Sequence, residues 1–407
     1  MEPTSGIDHG DTAWMLVATA LVLLMTPGLA LFYGGMVRRK NVLGTLMHSF
    51  FAMGLVSIQW VAVGYSLAFG RDHSGIVGGL EMALLNGVNG ARGTIPHLVF
   101  VAYQGMFAVI TPALIAGAFA ERIKFSGYVL FTLLWATLVY DPVAHWVWAE
   151  GGWLYRAGAL DFAGGTVVHL ISGVSALVLA RAIGPRIGFG RDKLIPHDVP
   201  MTVLGAGLLL FGWIGFNAGS ALGANETAGL ALTTTWIAAS GGALSWSAAE
   251  WWKHGKPSTL GTVSGLVAGL VGITPAAGFV GPGPALAIGA AAGLVCWLAV
   301  MAKGRLGYDD SLDAFGIHGV GGLLGALLTG VFASKAWNAA GQDGLLRGNA
   351  AQLGTQGIGV VACGLYAAVA TAAIVVVVKA TVGLRVDEAD EREGLDTTQH
   401  GEEAYNP

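Results

Sequence analysis

Residues 161–169, Asp161-Phe162-Ala163-Gly164-Gly165-Thr166-Val167-Val168-His169, are the stretch from which the fold can be worked out. They open an apolar segment that runs on to Ala180, with a carboxylate at its start and a histidine about two helical turns inside. Gly165, His169 and Gly173 are four residues apart, so they share a helix face, and we expect the glycines to leave room around the imidazole. If the segment crosses a membrane, an ionisable side chain at this depth indicates a functional site.

A second apolar segment repeats the pattern. Phe315-Gly316-Ile317-His318-Gly319 again places a histidine early in a predicted helix, and Gly322 follows His318 by four residues. The two segments therefore predict two buried histidines with similar surroundings.

The composition indicates a membrane protein. Of the 407 residues, 54% are hydrophobic and only 11% are charged, whereas soluble domains carry roughly 25% charged residues. The 64 glycines suit membrane helices that pack backbone against backbone. Cys296 and Cys363 lie in apolar segments, so neither a disulfide framework nor a metal cluster is predicted. We interpret the chain as an all-α polytopic membrane protein and not an enzyme; a net charge of −4 argues against a nucleic-acid partner.

Eleven apolar runs are long enough to cross a bilayer, at about 20 residues each. They cover roughly residues 12–35, 43–69, 95–119, 125–148, 162–184, 199–219, 227–252, 258–277, 284–302, 313–334 and 355–383. The polar segment Met1–Asp11 lacks the basic region of a cleavable signal peptide, so the first run is predicted to be a retained helix. An odd number of crossings puts the two termini on opposite sides.

Lysines and arginines predict which side is which. Sixteen of the 21 lie in one set of alternate loops and at the carboxyl end, and five lie on the other side. Because cytoplasmic loops are rich in basic residues, we predict that the amino terminus is outside and the tail is cytoplasmic. We divide the chain into a membrane domain, residues 1–383, and a cytoplasmic tail, residues 384–407.

Three features recur five spans apart. Ile110-Thr111-Pro112 in span 3 returns as Ile273-Thr274-Pro275 in span 8, and His169 in span 5 is matched by His318 in span 10. Spans 1 and 6 each carry an aromatic–glycine cluster. Since five is odd, the two halves must be oppositely oriented. We therefore predict a five-plus-five inverted repeat followed by a final helix, with the substrate site near the membrane midplane.

The matching places of His169 and His318 predict that the two imidazoles meet. A symmetric pair across a pore can share one hydrogen bond between ring nitrogens, and burial keeps both rings neutral. Zinc is the rival use of two histidines, but no third ligand has suitable spacing and no His-Glu-x-x-His motif occurs. We predict no metal and no other cofactor. His48 and His145 lack such a match, so for them a structural hydrogen-bonding role is the simpler interpretation.

Other side chains have both a structural and a functional interpretation. Asp161 can cap the helix that follows it, and it can also favour a cation at the outer mouth. Four aromatic residues around the outer end of span 4 are first explained by a membrane-interface belt: Trp146, Trp148, Trp153 and Tyr155. Aromatic faces can also bind a desolvated cation, and Tyr103, Phe107 and Trp148 lie at outward ends of neighbouring spans. Ser220, at the outer end of span 6, can accept a hydrogen bond from that cation.

The tail is different in composition. Residues 387–393 are highly charged and the following segment is polar. A disordered, solubilising end is one interpretation, and a regulatory docking segment is the other.

With these residues assembled, the chain resembles the ammonium transporter (Amt/Mep/Rh) family. The motifs that carry the resemblance are Pro27–Gly35, Ala120–Ile123, Asp161–His169, Gly212–Ser220 and Asp313–Gly319. The tail, Thr381–Val386 and Glu393–Asp396, is similar to that of bacterial and archaeal Amt proteins. These motifs occur in order over nearly the whole chain, and Trp148 with Ser220 favours the Amt branch over the Rhesus-type branch.

The resemblance implies roles for ten residues. Those of the outer ammonium site are Tyr103, where Phe is commoner, Phe107, Trp148, Ser220 and, as a supporting residue, Asp161. Phe107 and Phe216 would form a stacked gate below that site. His169 and His318 would line the pore, with Trp213 and Phe32 beside them. The resemblance also implies a homotrimer in the lipid bilayer of the cytoplasmic membrane, with one pore per subunit and a tail that contacts PII signal proteins in many members.

These residues suggest a mechanism. Ammonium and potassium are both small monovalent cations, but ammonium can donate hydrogen bonds and lose a proton. A dehydrated ion is costly in an apolar pore, whereas neutral ammonia is not. We expect ammonium to be collected by cation–π contacts and Ser220, to be deprotonated near the gate, and to pass the imidazoles as ammonia.

Two other classes share part of this description. A sodium-coupled amino-acid transporter also has five-plus-five inverted repeats, but it should have unwound polar breaks at its substrate site. An ammonium sensor would have the same membrane core, usually with a sizeable signalling domain, for which the tail leaves little room. An aquaporin is excluded because no paired Asn-Pro-Ala motif occurs.

Overall fold

The computed structural model describes residues 6–405. Residues 1–5 and 406–407, which belong to the predicted outside terminus and to the end of the predicted tail, lie outside the described residues. The described part is all-α, and its strands form two short hairpins, β1 (Asp72–His73) with β2 (Val77–Gly78) and β3 (Ala91–Arg92) with β4 (Ile95–Pro96).

Fifteen α-helices are present in the described residues. They are α1 (His9–Met36), α2 (Val42–Gln59), α3 (Tyr65–Phe69), α4 (His97–Phe119), α5 (Phe125–Trp135), α6 (Asp141–Trp148), α7 (Trp153–Arg156), α8 (Ile171–Ile183), α9 (Val199–Ala218), α10 (Glu226–His254), α11 (Thr259–Ile273), α12 (Pro282–Leu306), α13 (Val320–Phe332), α14 (Ala350–Thr381) and α15 (Glu388–Glu393). Five π-helical turns extend or join them: Trp60–Gly64, Ala136–Tyr140, Gly165–Leu170, Phe315–Gly319 and Asp396–His400. Short 3₁₀ turns occur at Arg39–Asn41, Ala83–Leu85, Gly219–Ala221 and Leu345–Arg347.

Nine helical stretches among residues 6–405 are long and apolar enough to cross a membrane. They correspond to nine of the eleven predicted spans, so the chain is a multi-pass, all-α membrane protein. The other two predictions correspond to α10 and α11, of 29 and 15 residues. α11 ends before Pro275, although we predicted that this span continues to residue 277. Proline has no N–H to continue the helical hydrogen bonds, and the chain turns irregularly from there.

The helical bundle has two ends, which we name by what they carry. The vestibule end carries Trp148 and Ser220 around an open cavity, and Asp11, near the start of α1, lines the same cavity. The tail end carries the loop after α1 and the last segment of the chain, since the Lys40 ammonium donates to the carbonyl oxygen of Glu391 at 3.1 Å. The beginning and the end of the described chain thus lie at opposite ends of the bundle.

Glycine lets neighbouring helices touch through their backbones. A Cβ added at Gly205 in α9 would lie 2.2 Å from the backbone nitrogen of Phe32 in α1. A Cβ added at Gly269 in α11 would lie 2.2 Å from the carbonyl oxygen of Ala238 in α10. Backbone atoms cannot turn aside as a flexible side chain can, so these contacts require glycine.

The tail is folded onto the tail end of the bundle and is not a disordered extension. Glu391 of α15 is 1% exposed and accepts a hydrogen bond from the backbone N–H of Ile187 at 2.7 Å. Its other oxygen forms an ion pair with Arg385, also at 2.7 Å. The disordered interpretation was therefore wrong, because the acidic side chain has fixed donors that composition alone cannot reveal.

Asp396 in the tail also caps α2. Its Oδ1 accepts a hydrogen bond at 2.8 Å from the N–H of Gly44 in the first turn of α2, where Asn41, the preceding residue, makes no capping bond of its own. The side chain of Asn41 instead accepts the N–H of Leu395 at 2.9 Å. The tail and α2 thus satisfy each other's free backbone groups.

Replacing Asp396 with alanine is expected to loosen the tail. Loss of a capping carboxylate costs about 0.5–2 kcal/mol, which should speed tryptic cleavage after Arg392 by up to about thirtyfold. Time-resolved cleavage of the purified protein measures this rate. Glu402→Ala, which removes an exposed tail carboxylate, is the control. Equal cleavage rates for the two variants would contradict the docking role of Asp396.

Candidate functional site

A cavity of about 560 Å³ opens at the vestibule end. Three of the residues predicted for the outer site line it, namely Phe107, Trp148 and Ser220. Asp11, Glu150 and Arg92 also lie on its wall. The structure therefore brings the predicted aromatic and hydroxyl groups together beside two carboxylates and one guanidinium. We call this cavity the vestibule.

Aromatic rings close the inner side of the vestibule. The ring of Phe107 meets that of Trp148 almost perpendicularly, at 5.8 Å between centroids and 89°. Phe107 also stacks on Phe216, at 4.2 Å and 27°. These two phenylalanines are 1% and 0% exposed, and Phe216 lines a second cavity further inside. The stacked pair thus separates the two cavities.

The hydroxyl group of Ser220 is oriented by the backbone. It donates to the carbonyl oxygen of Phe216 at 2.9 Å, which leaves its lone pairs available to accept a hydrogen bond. The Tyr103 hydroxyl lies 3.3 Å from Ser220 Oγ and 2.8 Å from the same carbonyl oxygen. Tyr103 is completely buried beside the vestibule. Its additional hydroxyl, compared with a phenylalanine, is therefore engaged with α9 and does not face the cavity.

Asp161 uses both carboxylate oxygens on the backbone that follows it. The four N–H groups of residues 164–167 donate to them at 2.6–3.0 Å. Its own carbonyl oxygen accepts the indole N–H of Trp148 at 2.9 Å. The geometry confirms the capping interpretation. Asp161 is connected to the vestibule through Trp148, whose ring it holds in place.

His169 and His318 lie side by side beyond the stacked phenylalanines. Their Nδ1 atoms are 3.3 Å apart, and the rings are 5.3 Å apart and inclined by 18°. At this distance one Nδ1 donates to the other, so the pair shares one proton. Trp213 stacks on His169 at 5.3 Å, and Phe32 lines the same cavity. That inner cavity is narrow, about 10 Å³, close to the smallest volume that holds one water molecule.

Each histidine lies in a π-helical turn that an aspartate caps from eight residues earlier. Asp161 precedes His169 in this way, and Asp310 precedes His318 and accepts two backbone N–H groups, at 3.1 and 2.8 Å, where the second turn begins. Asp310 was not predicted from the sequence. Asp310 precedes His318 by eight residues, as Asp161 precedes His169, and this equal spacing could have indicated it. π-Helical turns often occur at functional sites.

The glycines near His169 make room for a neighbouring backbone. A Cβ added at Gly173 would lie 2.0 Å from the nitrogen of Gly319, and one added at Gly322 would lie 2.6 Å from the carbonyl oxygen of Gly165. The space that we expected around the imidazole is occupied instead by the opposite helix. These contacts bring the two histidine-bearing turns together.

Gln104 is a further vestibule residue that was not predicted. It precedes Phe107 by three residues, so both lie on one face of α4. Its Oε1 is buried and has no hydrogen-bond partner among the described residues.

Of the aromatic residues considered above for the interface belt, Tyr155 lines the vestibule, whereas Trp146 and Trp153 pack on each other at 5.8 Å between ring centroids.

Residues 13–405 match the family model described as the Ammonium Transporter Family. An ammonium transporter from Aquifex aeolicus is 52% identical over 406 residues, covering 98% of this chain and 94% of that protein. One from Bacillus subtilis is 51% identical over 401 residues, covering 97% and 98%. Ammonium transporter Amt1 from Archaeoglobus fulgidus is 48% identical over 399 residues, covering 98% and 100%.

Solved structures show the same fold. The crystal structure of Saccharomyces cerevisiae Mep2 has a TM-score of 0.90 at 39% identity, covering 95% of this chain and 89% of that chain. A structure described as a sensor Amt protein also has a TM-score of 0.90, at 28% identity, covering 98% and 100%. The relatives are transporters and not enzymes, and this chain belongs to the ammonium transporter family.

Proposed function

We propose that this protein binds ammonium in the vestibule, removes one proton and conducts ammonia past His169 and His318. The observation that carries the proposal is the succession of two unlike cavities across the stacked pair Phe107 and Phe216. One is wide and has aromatic faces and hydrogen-bond acceptors, and the other is narrow and almost entirely apolar. The first suits a cation, and the second suits a small neutral molecule.

Recruitment of ammonium rests on three kinds of group. The faces of Trp148 and Phe107 attract a cation, and the free lone pairs of Ser220 accept one of its N–H groups. The carboxylates of Asp11 and Glu150 raise the local concentration of cations in the vestibule. Potassium gains from the charge and the aromatic faces but cannot donate to Ser220, so the hydroxyl favours ammonium.

Deprotonation follows from the closed gate. Phe107 and Phe216 offer no polar atom to replace the hydration shell of an ion, so a cation is costly between them. Ammonium that loses its proton in the vestibule becomes ammonia, which can cross when the rings move. Water in the open vestibule accepts the proton, which stays on that side of the gate in this step.

The two histidines then form hydrogen bonds with the neutral ammonia that passes them. The shared Nδ1 hydrogen bond leaves the Nε2 atoms of both rings for the passing molecule, and Nε2 of His169 is buried without a partner among the described residues. Each neutral imidazole can donate to or accept from ammonia according to its tautomer. The narrow inner cavity excludes larger hydrated ions.

We also propose the arrangement in the membrane. With α10 and α11 included, the chain crosses the membrane eleven times, so its two ends lie on opposite sides. Two inverted halves of five crossings each account for the matched pairs Asp161–His169 and Asp310–His318. The excess of basic residues at the tail end supports a cytoplasmic tail and an outside vestibule in the cytoplasmic membrane. A homotrimer, and a PII-type protein docked on the tail, are proposed from the family resemblance.

Growth tests the transport function directly. A host that lacks its own ammonium transporters should grow on low ammonium when it expresses this chain. Failure to restore growth, with the protein present in the membrane, would contradict transport. It would favour an ammonium sensor, the second candidate, which the likeness to the sensor Amt structure supports. Flux driven by a sodium gradient would instead indicate a sodium-coupled transporter.

Replacing Ser220 with alanine is expected to weaken ammonium recruitment. A hydrogen bond to a charged group contributes about 1.5–3 kcal/mol, so the half-saturating ammonium concentration should rise by roughly ten- to a hundredfold. Uptake by vesicles containing the purified protein measures this. Ser240→Ala is a matched control, because Ser240 donates to the carbonyl four residues earlier as Ser220 does, but is exposed on α10. Equal concentrations for both variants would contradict the role of Ser220.

A further inference from the structure

A second polar cluster lies within the bundle, away from the vestibule and the histidines. Gln59 is the last residue of α2, where the π-helical turn Trp60–Gly64 begins. Asp141 is the first residue of α6, where the π-helical turn Ala136–Tyr140 ends. The two widened turns are joined by a hydrogen bond from Gln59 Nε2 to Asp141 Oδ2, at 2.7 Å. Both residues lie inside membrane-crossing stretches.

The cluster is built to hold the amide of Gln59 in one position. Its Nε2 also lies 3.2 Å from the hydroxyl oxygen of Thr137. A Cβ added at Gly64 would lie 2.8 Å from Gln59 Oε1, so a larger residue there would displace the amide from this position. Trp60, which follows Gln59, donates its indole N–H to the carbonyl oxygen of Val101 in α4 at 3.1 Å.

Gln59, Asp141 and Tyr140, which precedes Asp141 and has its ring 6.3 Å from that of Trp60, each have one buried polar atom without a hydrogen-bond partner among the described residues. These atoms are Asp141 Oδ1, Gln59 Oε1 and the hydroxyl of Tyr140. The three residues are 0%, 4% and 0% exposed. Eleven buried side-chain atoms in the described residues share this condition, and three of them belong to this one cluster. Because an unpaired buried polar group is destabilising, the concentration indicates a missing partner.

Few groups around Asp141 can stabilise a negative charge. An ionised carboxylate in the membrane interior needs a cation or several donors. None of the ion pairs among the described residues includes Asp141, and Gln59 provides its one hydrogen bond. Tyr140 is the titratable side chain next to it. A Mg²⁺ or Ca²⁺ ion would require about six or more oxygen ligands, and the cluster leaves three oxygen atoms without a partner among the described residues.

We infer that Asp141 is a protonated carboxyl group and that, with Gln59 and Tyr140, it binds one water molecule inside the membrane. Each of the three unpaired atoms then has a partner. The Asp141 O–H and the Tyr140 O–H donate to the water, and the water donates to Gln59 Oε1. Three hydrogen bonds are typical of a buried water. The site gives the protein a resident proton that is separate from the proton shared by the two histidines.

Infrared spectroscopy of the full-length protein in lipid vesicles at about pH 8 tests this. Exposed carboxyl groups are then ionised, and so are Asp161 and Asp310, because burial raises the pKa of each only to about 6. We expect a protonated-carboxyl band that is absent in Asp141→Asn, a neutral variant of the same shape. Asp192→Asn, at an exposed position, should keep the band. Identical spectra for wild type and Asp141→Asn would overturn the proton assignment.

Two further measurements do not require that Asp141→Asn folds. In the wild type the band should persist from about pH 6 to pH 9, and its loss over that range would assign it to Asp161 or Asp310 and overturn the inference. Tyr140→Phe should retain the band but shift its frequency, because the water loses one partner. An unshifted band in both Tyr140→Phe and Gln59→Leu would overturn the bridging water.

Discussion

Simultaneous replacement of His169 and His318 with alanine is expected to reduce the ratio of ammonia flux to potassium flux by at least about tenfold, equivalent to about 1.4 kcal/mol of selectivity. The two rings line a cavity of about 10 Å³ together with apolar neighbours. Their removal would leave space for several water molecules, and a hydrated potassium ion would no longer be excluded. Uptake of ammonium and of potassium by vesicles containing the purified protein measures the ratio.

The single variants and a distant histidine provide the controls. Each single variant opens part of the cavity and removes the shared Nδ1 hydrogen bond, so an intermediate ratio is expected. His254→Ala, at the exposed end of α10, should leave the ratio unchanged. A double variant that still discriminates like the wild type would refute the assignment of the histidines to the conduction path.

Replacing Gly173 with alanine is expected to prevent correct packing of the pore. The new Cβ would lie 2.0 Å from the nitrogen and 2.3 Å from the Cα of Gly319, and both are backbone atoms that cannot rotate away. Overpacking a core costs about 1–3 kcal/mol when side chains can adjust, so a larger loss of stability is expected here. Thermal unfolding of the purified protein, followed by size-exclusion chromatography, measures the change.

Gly364→Ala is the matched control. Gly364 lies within α14, and no atom lies within 4 Å of its added Cβ. Alanine favours a helix over glycine by about 1 kcal/mol, so this variant should be as stable as the wild type or more so. If Gly173→Ala unfolded at the same temperature as Gly364→Ala, the result would contradict the close contact between the backbones at Gly173 and Gly319.

The elements that carry the site follow from local sequence. Runs of about 20 apolar residues identify the membrane helices because hydrocarbon leaves backbone groups no partner outside the helix. Matching positions in two such runs predicted that His169 and His318 meet, and their Nδ1 atoms are 3.3 Å apart. Phe107, Trp148 and Ser220 also came together at one cavity, as expected from their places near the ends of neighbouring helices.

Other parts depended on which backbones become neighbours. The pairing of Gly173 with Gly319, the capping of α2 by Asp396 and the burial of Tyr103 against α9 each join residues more than a hundred positions apart. Composition and periodicity describe one segment at a time, so they could not indicate which helix a glycine face would meet or which donors a tail carboxylate would find.

The amino-acid sequence was sufficient for the class of protein, its helices, its family resemblance and the choice of candidate site residues, because hydrophobicity and spacing are local properties. The tertiary structure alone decided what surrounds them. It showed that the Asp161 carboxylate caps a helix while its carbonyl holds Trp148, and that Gly165 and Gly173 admit the opposite half of the bundle rather than space for His169. These outcomes depend on contacts below 4 Å between distant segments, which only the packed chain specifies.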